Sequence, residues 1–234
     1  MKVVILAGGL GTRLSEETEV KPKPMVDVGG HPMLWHIMKG FSHYGYDEFV
    51  VALGYKGEAI KRWFVDHVAL AGSMSVDLGA QKIERHAREM ERWRVRLVET
   101  GTGSNTGGRL RRLRALLADE PFLVTYGDGV ADVDLDALVR FHKQHGRLAT
   151  LTAVRPPARF GGVSFDGALV SRFTEKPQAG EGWINGGFMV MQPAVLDRIE
   201  RDDTSLEAEV LEGLARDRQL SAYRHEGCWQ CMDT

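Results

Sequence analysis

Cysteine is scarce: the 234 residues hold two, Cys228 and Cys231, in a single C-x-x-C. One such pair is half of a zinc site, and no thioredoxin-like βαβ start surrounds it, so both are expected to be reduced bystanders. Long apolar runs are missing too. None approaches the roughly 20 residues that a bilayer crossing needs. Nor is there an excess of one charge. A net charge of -2 gives no reason to expect a nucleic-acid or membrane partner. The chain starts on a strand, without a basic n-region or cleavage site, so a cytoplasmic location is expected. No repeat, linker or low-complexity tract is present. No Ser/His/Asp or Cys/His signature points to covalent catalysis.

What is present is ordinary for a globular enzyme, with 43% hydrophobic and 26% charged residues. The length suits one large α/β domain or two small ones.

The chemistry begins at the N-terminus, MKVVILAGGLGTRLSEETEVKPKPM. Lys2 to Ala7 reads as a strand buried on both faces of a parallel sheet. It runs into Gly8, Gly9 and Gly11, with Thr12 and Arg13 behind them. Glycines let backbone N–H groups approach an anion without a Cβ in the way. Two prolines stiffen the segment around Lys21 and Lys23. A glycine loop with a fixed guanidinium and a fixed ammonium suits a polyphosphate. The loop is not a dinucleotide fingerprint, because Leu14 stands where the third glycine belongs, and no Gly-Lys-Ser/Thr triplet makes it a P-loop.

Beyond the loop, Pro32 to Tyr44 and Glu58 to Val65 read as helices, and Phe49 to Leu53 and Val95 to Val98 as strands. Gly72 to Glu91 shows no clear period and is expected to be an excursion that packs against another subunit. Thr106 reads as the cap of a helix through Ala118. Phe122 to Tyr126 is a buried strand ending in Gly127 and Asp128. Leu135 to His145 is helical and Ala149 to Val154 a strand. Gly162 to Phe165, Leu169 to Glu175 and Ile184 to Met191 read as strands added to the sheet, partly antiparallel. Leu206 to Arg216 is a late helix. Ligands of such alternating folds bind at the carboxyl ends of strands. That logic gathers Gly8 to Arg13, Ser104 to Arg109, Gly127 to Asp128 and Trp229 to Asp233. Asp128 is a magnesium ligand on this reading, or it makes an Asx-turn with Gly129.

LAGGLGTRL, KPKPM, TGGRL, TYGDGVAD, FTEKP, INGGF and WQCMDT together resemble the signatures of the sugar nucleotidyltransferase family. The resemblance implies a Rossmann-like α/β fold: a mixed, mostly parallel central sheet flanked by helices, with a small added β region. It implies a single domain over 1–234, with a nucleotide half of about 1–130 and a sugar-phosphate half of about 131–234. Leu6, Ala7, Gly8, Gly9, Leu10, Gly11, Thr12 and Arg13 would wrap the triphosphate. Arg13 and Lys23 would be its catalytic cations. Ser104, Thr106, Gly108, Arg109 and Gly127 would also face the nucleotide. Tyr126, Glu175, Lys176, Asn185 and Gly186 would take the sugar phosphate, and Asp128 and Asp233 would hold Mg2+.

TGGR stands where the thymidylyl and uridylyl branches carry another glycine motif, which favours CTP. Arg109 either presents a cationic pair to O2 and N3 of cytosine or serves the phosphates. The chain departs from the family at Cys231, where proline is usual, and at Leu206 and Val210. The implied reaction joins CTP to a sugar 1-phosphate, most readily α-D-glucose 1-phosphate, in a homo-oligomer without nucleic-acid or membrane partners. A glycosyltransferase reading, built on the D-x-D of Asp132 and Asp134, suits these phosphate motifs less well. A nucleotide-sensing module would be expected to lose a metal aspartate or phosphate cation. None is lost.

Overall fold

The computed structural model describes residues 1–9, 21–86, 89–156, 162–166, 169–174 and 182–232. The apolar N-terminal run becomes strand β1, Val3–Leu6, buried along its whole length. After it come β2 (Asp27–Val28), β3 (His31–Pro32), β4 (Glu48–Leu53), β5 (Ser73–Asp77), β6 (Lys82–His86) and β7 (Arg94–Glu99). Then follow β8 (Phe122–Tyr126), β9 (Gly129–Ala131), β10 (Ala149–Val154), β11 (Gly162–Asp166), β12 (Leu169–Thr174), β13 (Ile184–Met191), β14 (Leu220–His225) and β15 (Trp229–Cys231).

The central sheet has seven strands in the order β14-β10-β13-β8-β1-β4-β7. β1 pairs in parallel with both β4 and β8, β7 continues parallel to β4, and β14 runs parallel to β10. Only β13 is reversed, antiparallel to β10 and β8. Successive side chains of β1 serve opposite faces, as the pleat demands. Val3 and Ile5 join Leu34, Met38 and Phe41 of the helix Met33–His43 on one face. Val4 and Leu6 meet Leu110, Leu113 and Leu117 on the other. Helices thus cover both faces, and the loops that serve β1, β8 and β13 meet at one end.

Phe122–Tyr126, Leu135–His145, Ala149–Val154 and Ile184–Met191 match their expected bounds. Elsewhere the structure corrects the reading. Asn105, not Thr106, caps the next helix, its side chain accepting from the Thr106 N–H at 2.8 Å. That helix ends at Arg112 and resumes as one turn, Arg114–Leu117. Leu206–Leu211 is π-helical and only Glu212–Arg216 is α-helical. β11 and β12 pair with each other and stay out of the central sheet. The aperiodic 72–91 stretch holds the β5–β6 hairpin, exposed at every residue. β14 escaped notice because an edge strand with a half-exposed, polar pattern carries little hydrophobic signal.

Behind the sheet, His142 is 1% exposed. With the Gln192 amide donating to its Nε2 at 2.9 Å, the neutral ring donates from Nδ1 to Thr150 Oγ1 at 2.9 Å. Burial, reinforced by His145, pushes the imidazole down to about 4. The folded ring therefore binds fewer protons than the unfolded one between the ordinary value of 6.5 and about 4. The sign is fixed: His142 weakens the fold as pH falls through that window and is neutral above it. Thermal midpoints measured from pH 7 to 4 should fall less steeply for His142→Gln than for the native chain. Equal slopes would show that the ring protonates without cost.

Candidate functional site

The carboxyl ends of β1 and β8 and the start of β13 open onto a cavity of about 650 Å³. Leu6, Ala7, Gly8 and Gly9 form its floor beside Lys23 and Pro24. Ser104, Asn105, Thr106 and Arg109 make one wall, and Tyr126, Gly127 and Asp128 the centre. Ile184, Asn185, Glu207, Trp229 and Cys231 close the far side.

Arg109 lies under the glycine loop, 3% exposed. Its Nη2 donates to the Gly8 carbonyl at 2.8 Å. Its Nη1 donates to Thr100 Oγ1 and the Gly101 carbonyl, each at 2.8 Å, and to the Leu53 carbonyl at 3.2 Å. Burial lowers the guanidinium's pKa, with help from Arg112, yet arginine stays charged in any protein. None of its four acceptors is a carboxylate, so its positive charge is left to act on the cleft above. Glycine is required next to it: a Cβ on Gly8 would stand 2.2 Å from Nη1, and one on Gly54 2.4 Å. The guanidinium is thus a brace for three loops, and the donors that the sequence reading offered either to cytosine or to the phosphates are committed to three carbonyls and the Thr100 hydroxyl.

The TGGR glycines are corrected in the same way. A Cβ on Gly108 would fall 1.9 Å from the Asp202 carbonyl oxygen, and one on Gly107 2.7 Å from that of Thr204. Gly108 does not line the cavity; it lets the 202–206 backbone close against this helix. That strap also takes the Asn105 N–H on the Asp202 carbonyl at 2.9 Å.

Lys23 is 8% exposed on a 3-10 turn between Pro22 and Val26. Its Nζ lies 3.3 Å from Asp128 Oδ2, whose side chain is one-third exposed to the cleft. The Asp128 carbonyl accepts from the Met232 N–H at 2.7 Å, and β9 pairs with β15 through Gly129 and Cys231. The last described residues are thereby brought to Asp128. One open carboxylate beside a phosphate-sized space suits magnesium, which takes one or two carboxylates and fills its remaining positions with phosphate and water oxygens. Among the described residues no cluster of three metal-ligating side chains occurs.

Tyr126 lines the cavity, its hydroxyl donating to Glu207 Oε1 at 2.6 Å and 3.5 Å from Asn185 Nδ2. Burial first, then the Glu207 carboxylate, pushes its phenol far up. Trp229 Nε1 donates to the Gly186 carbonyl at 2.8 Å. Gly186 itself is packed against Val154 and does not line the cavity.

Leu6, Ala7, Gly8, Gly9, Lys23, Ser104, Thr106, Arg109, Tyr126, Gly127, Asp128 and Asn185 line this one cavity. Leu10, Gly11, Thr12, Arg13, Glu175, Lys176 and Asp233 lie outside the described residues. Ile184 and Glu207 were missed, Glu207 because one acid in an acidic stretch has no distinguishing pattern. The D-x-D is accounted for structurally. Asp132 pairs with His225 at 2.8 Å, and Asp134 caps the helix Leu135–His145 by accepting from the Ala137 N–H at 2.8 Å.

The nucleotidyl transferase family model matches residues 2–230. The glucose-1-phosphate cytidylyltransferase of Salmonella typhi is 51% identical over 235 residues, spanning 100% of this chain and 91% of the relative. A probable glucose-1-phosphate cytidylyltransferase of Bacillus subtilis (strain 168) is 41% identical over 235 residues, spanning 100% and 92%. The crystal structure of HddC from Yersinia pseudotuberculosis shares the fold, with a TM-score of 0.71 at 23% identity over 99% of this chain and 93% of that one.

Proposed function

The chain belongs to the nucleotidyl transferase family, and from that premise we propose that it transfers a cytidylyl group from CTP to α-D-glucose 1-phosphate, releasing pyrophosphate. The observation that carries this reading is one cleft with a cationic glycine-loop half and a polar half of Tyr126, Asn185 and Trp229. Residues of about 1–130 take the nucleotide and those of about 131–234 the sugar phosphate, within one domain.

A phosphate monoester has a second pKa of about 6, so glucose 1-phosphate is mostly a dianion at neutral pH. Its oxygen is already a nucleophile and needs no general base. It attacks the α-phosphorus of CTP as the bond to the β-phosphate oxygen breaks on the opposite side. The obstacle is the approach of two polyanions, and catalysis rests on positioning and charge neutralisation.

Lys23, the buried Arg109 charge and the N–H groups of Gly8 and Gly9 favour the triphosphate, with Arg13 as a further cation of the same loop. Lys176 and Glu175 of the E-K-P motif take the acceptor's phosphate and hydroxyls, beside Asn185. Asp128, with Asp233, would hold Mg2+, which when bound neutralises and orients the phosphate oxygens. The exposed β5–β6 hairpin, with Val76 and Ile83 over half exposed, is the surface we assign to a second copy, because a lone two-stranded hairpin is marginal in water. No helix of the described residues is long and apolar enough to cross a membrane.

The proposal is tested by following CTP and glucose 1-phosphate by phosphorus NMR in the presence of magnesium. Paired diphosphate signals of CDP-glucose, with pyrophosphate, are expected. Unchanged substrates would refute it.

A further inference from the structure

Glu207 puts a carboxylate into a cleft meant for two polyanions, where it would repel any phosphate that reached it. Its surroundings indicate another use. One oxygen accepts from the Tyr126 hydroxyl at 2.6 Å. The other accepts from Thr106 Oγ1 at 2.6 Å and from Ser205 Oγ at 3.1 Å. A carboxylate offers about four lone-pair sites, so three are committed to protein donors.

The donors come from different parts of the fold. Thr106 opens the helix that closes the nucleotide wall, and Tyr126 ends the strand that delivers Asp128. The hydroxyl of Thr106 also accepts the Leu206 N–H at 2.9 Å, and that of Ser205 accepts the Ala208 N–H at 3.1 Å. Glu207 itself sits in a π-helical turn, a rare local form frequently found at functional sites.

We propose that Glu207 is a positioning residue that ties the nucleotide wall to the acceptor wall, fixing Thr106 and Tyr126 in one geometry so that the α-phosphorus and the attacking phosphate meet in line. The inference rests on the reading of the cleft as a site for a nucleotide and a sugar phosphate. It makes Glu207 a ligand of neither.

Three variants test it: Glu207→Gln, Tyr126→Phe and the double variant. The amide keeps one acceptor oxygen where two are needed, and phenylalanine keeps the ring while deleting the hydroxyl. Each single change should lower kcat about tenfold, the scale of losing a hydrogen bond to a charged group. For Glu207→Gln, dissociation constants for CTP and for glucose 1-phosphate, measured separately by calorimetry, should change less than kcat. The thermal midpoint should stay within a few degrees of the native value. Because both substitutions break one link, the double variant should be no slower than the slower single variant.

Losses that multiply in the double variant would mean the two residues act independently and would overturn the inference. A large rise in one dissociation constant alone would make Glu207 a direct ligand of that substrate and would overturn it too. Native protein that binds both substrates while the variants behave additively removes only this inference. Native protein that binds neither removes the underlying reading, and the inference with it.

Discussion

Asp128→Asn should lower kcat/KM by more than about a hundredfold, the usual cost of removing one preorganised electrostatic group from a transition state. The substitution keeps the size of the side chain, deletes its charge and turns one acceptor oxygen into an N–H donor. That charge lies 3.3 Å from the buried ammonium of Lys23, at the carboxyl end of the strand that runs beside β1. Losing it takes the Asp128 charge away from Lys23 and from the proposed magnesium site. Asp128 is partly open to solvent, so the fold should hold and the thermal midpoint should move little. Steady-state rates across a magnesium titration, beside a melting curve, provide the check. Full activity at millimolar magnesium would remove Asp128 from the metal site.

Arg109→Ala should damage both stability and catalysis, and it should do so equally for CTP and UTP. The guanidinium satisfies the carbonyls of Gly8, Leu53 and Gly101 and the hydroxyl of Thr100 in a nearly sealed space. The Leu53 and Gly8 carbonyls keep the N–H groups of Thr100 and Tyr55, but the Gly101 carbonyl loses its described donor, and a buried acceptor left unpaired costs about 1–3 kcal/mol before water enters to offset part of it. The thermal midpoint should therefore fall by several degrees. Without the brace, the Gly8 carbonyl keeps only the Tyr55 N–H at 3.1 Å, and the N–H groups of the glycine loop lose part of their fixed direction toward the phosphates. That loss is blind to the base. The ratio of kcat/KM for CTP to that for UTP should stay within about threefold of the native ratio, less than 1 kcal/mol. A collapse of CTP activity alone would restore Arg109 as the reader of cytosine.

These cases show which kinds of information the chain carries on its surface. β1, β8 and β13 were legible because strands buried on both faces are rich in Val, Ile, Leu, Phe and Met, as in VVIL, FLV and FMVM. The glycine loop and the lysine between prolines were legible because their residue types are tied to their chemistry. The partners of Arg109 were not, because each of its acceptors is a backbone carbonyl or a hydroxyl far away in sequence. The same holds for Gly107 and Gly108. A glycine pair beside a ligand loop looks like a place where a ligand approaches, and only the register of the 202–206 strap reveals that a backbone approaches instead. Glu207 is the extreme case. Its role depends on Thr106 and Tyr126, which lie 101 and 81 residues earlier. Edge strand β14 and the exposed β5–β6 hairpin bury little, so hydrophobic periodicity barely records them.

The most direct test of the central claim is the initial rate of pyrophosphate release with glucose 1-phosphate and each of CTP, UTP and dTTP at equal concentration. Magnesium is present throughout, and a control omits the sugar phosphate. CTP should support release that depends on the acceptor, at a kcat/KM at least about tenfold above either rival, a margin of roughly 1.4 kcal/mol. Release that favours UTP or dTTP, or that proceeds without the sugar phosphate, would contradict the assignment of this cleft to cytidylyl transfer.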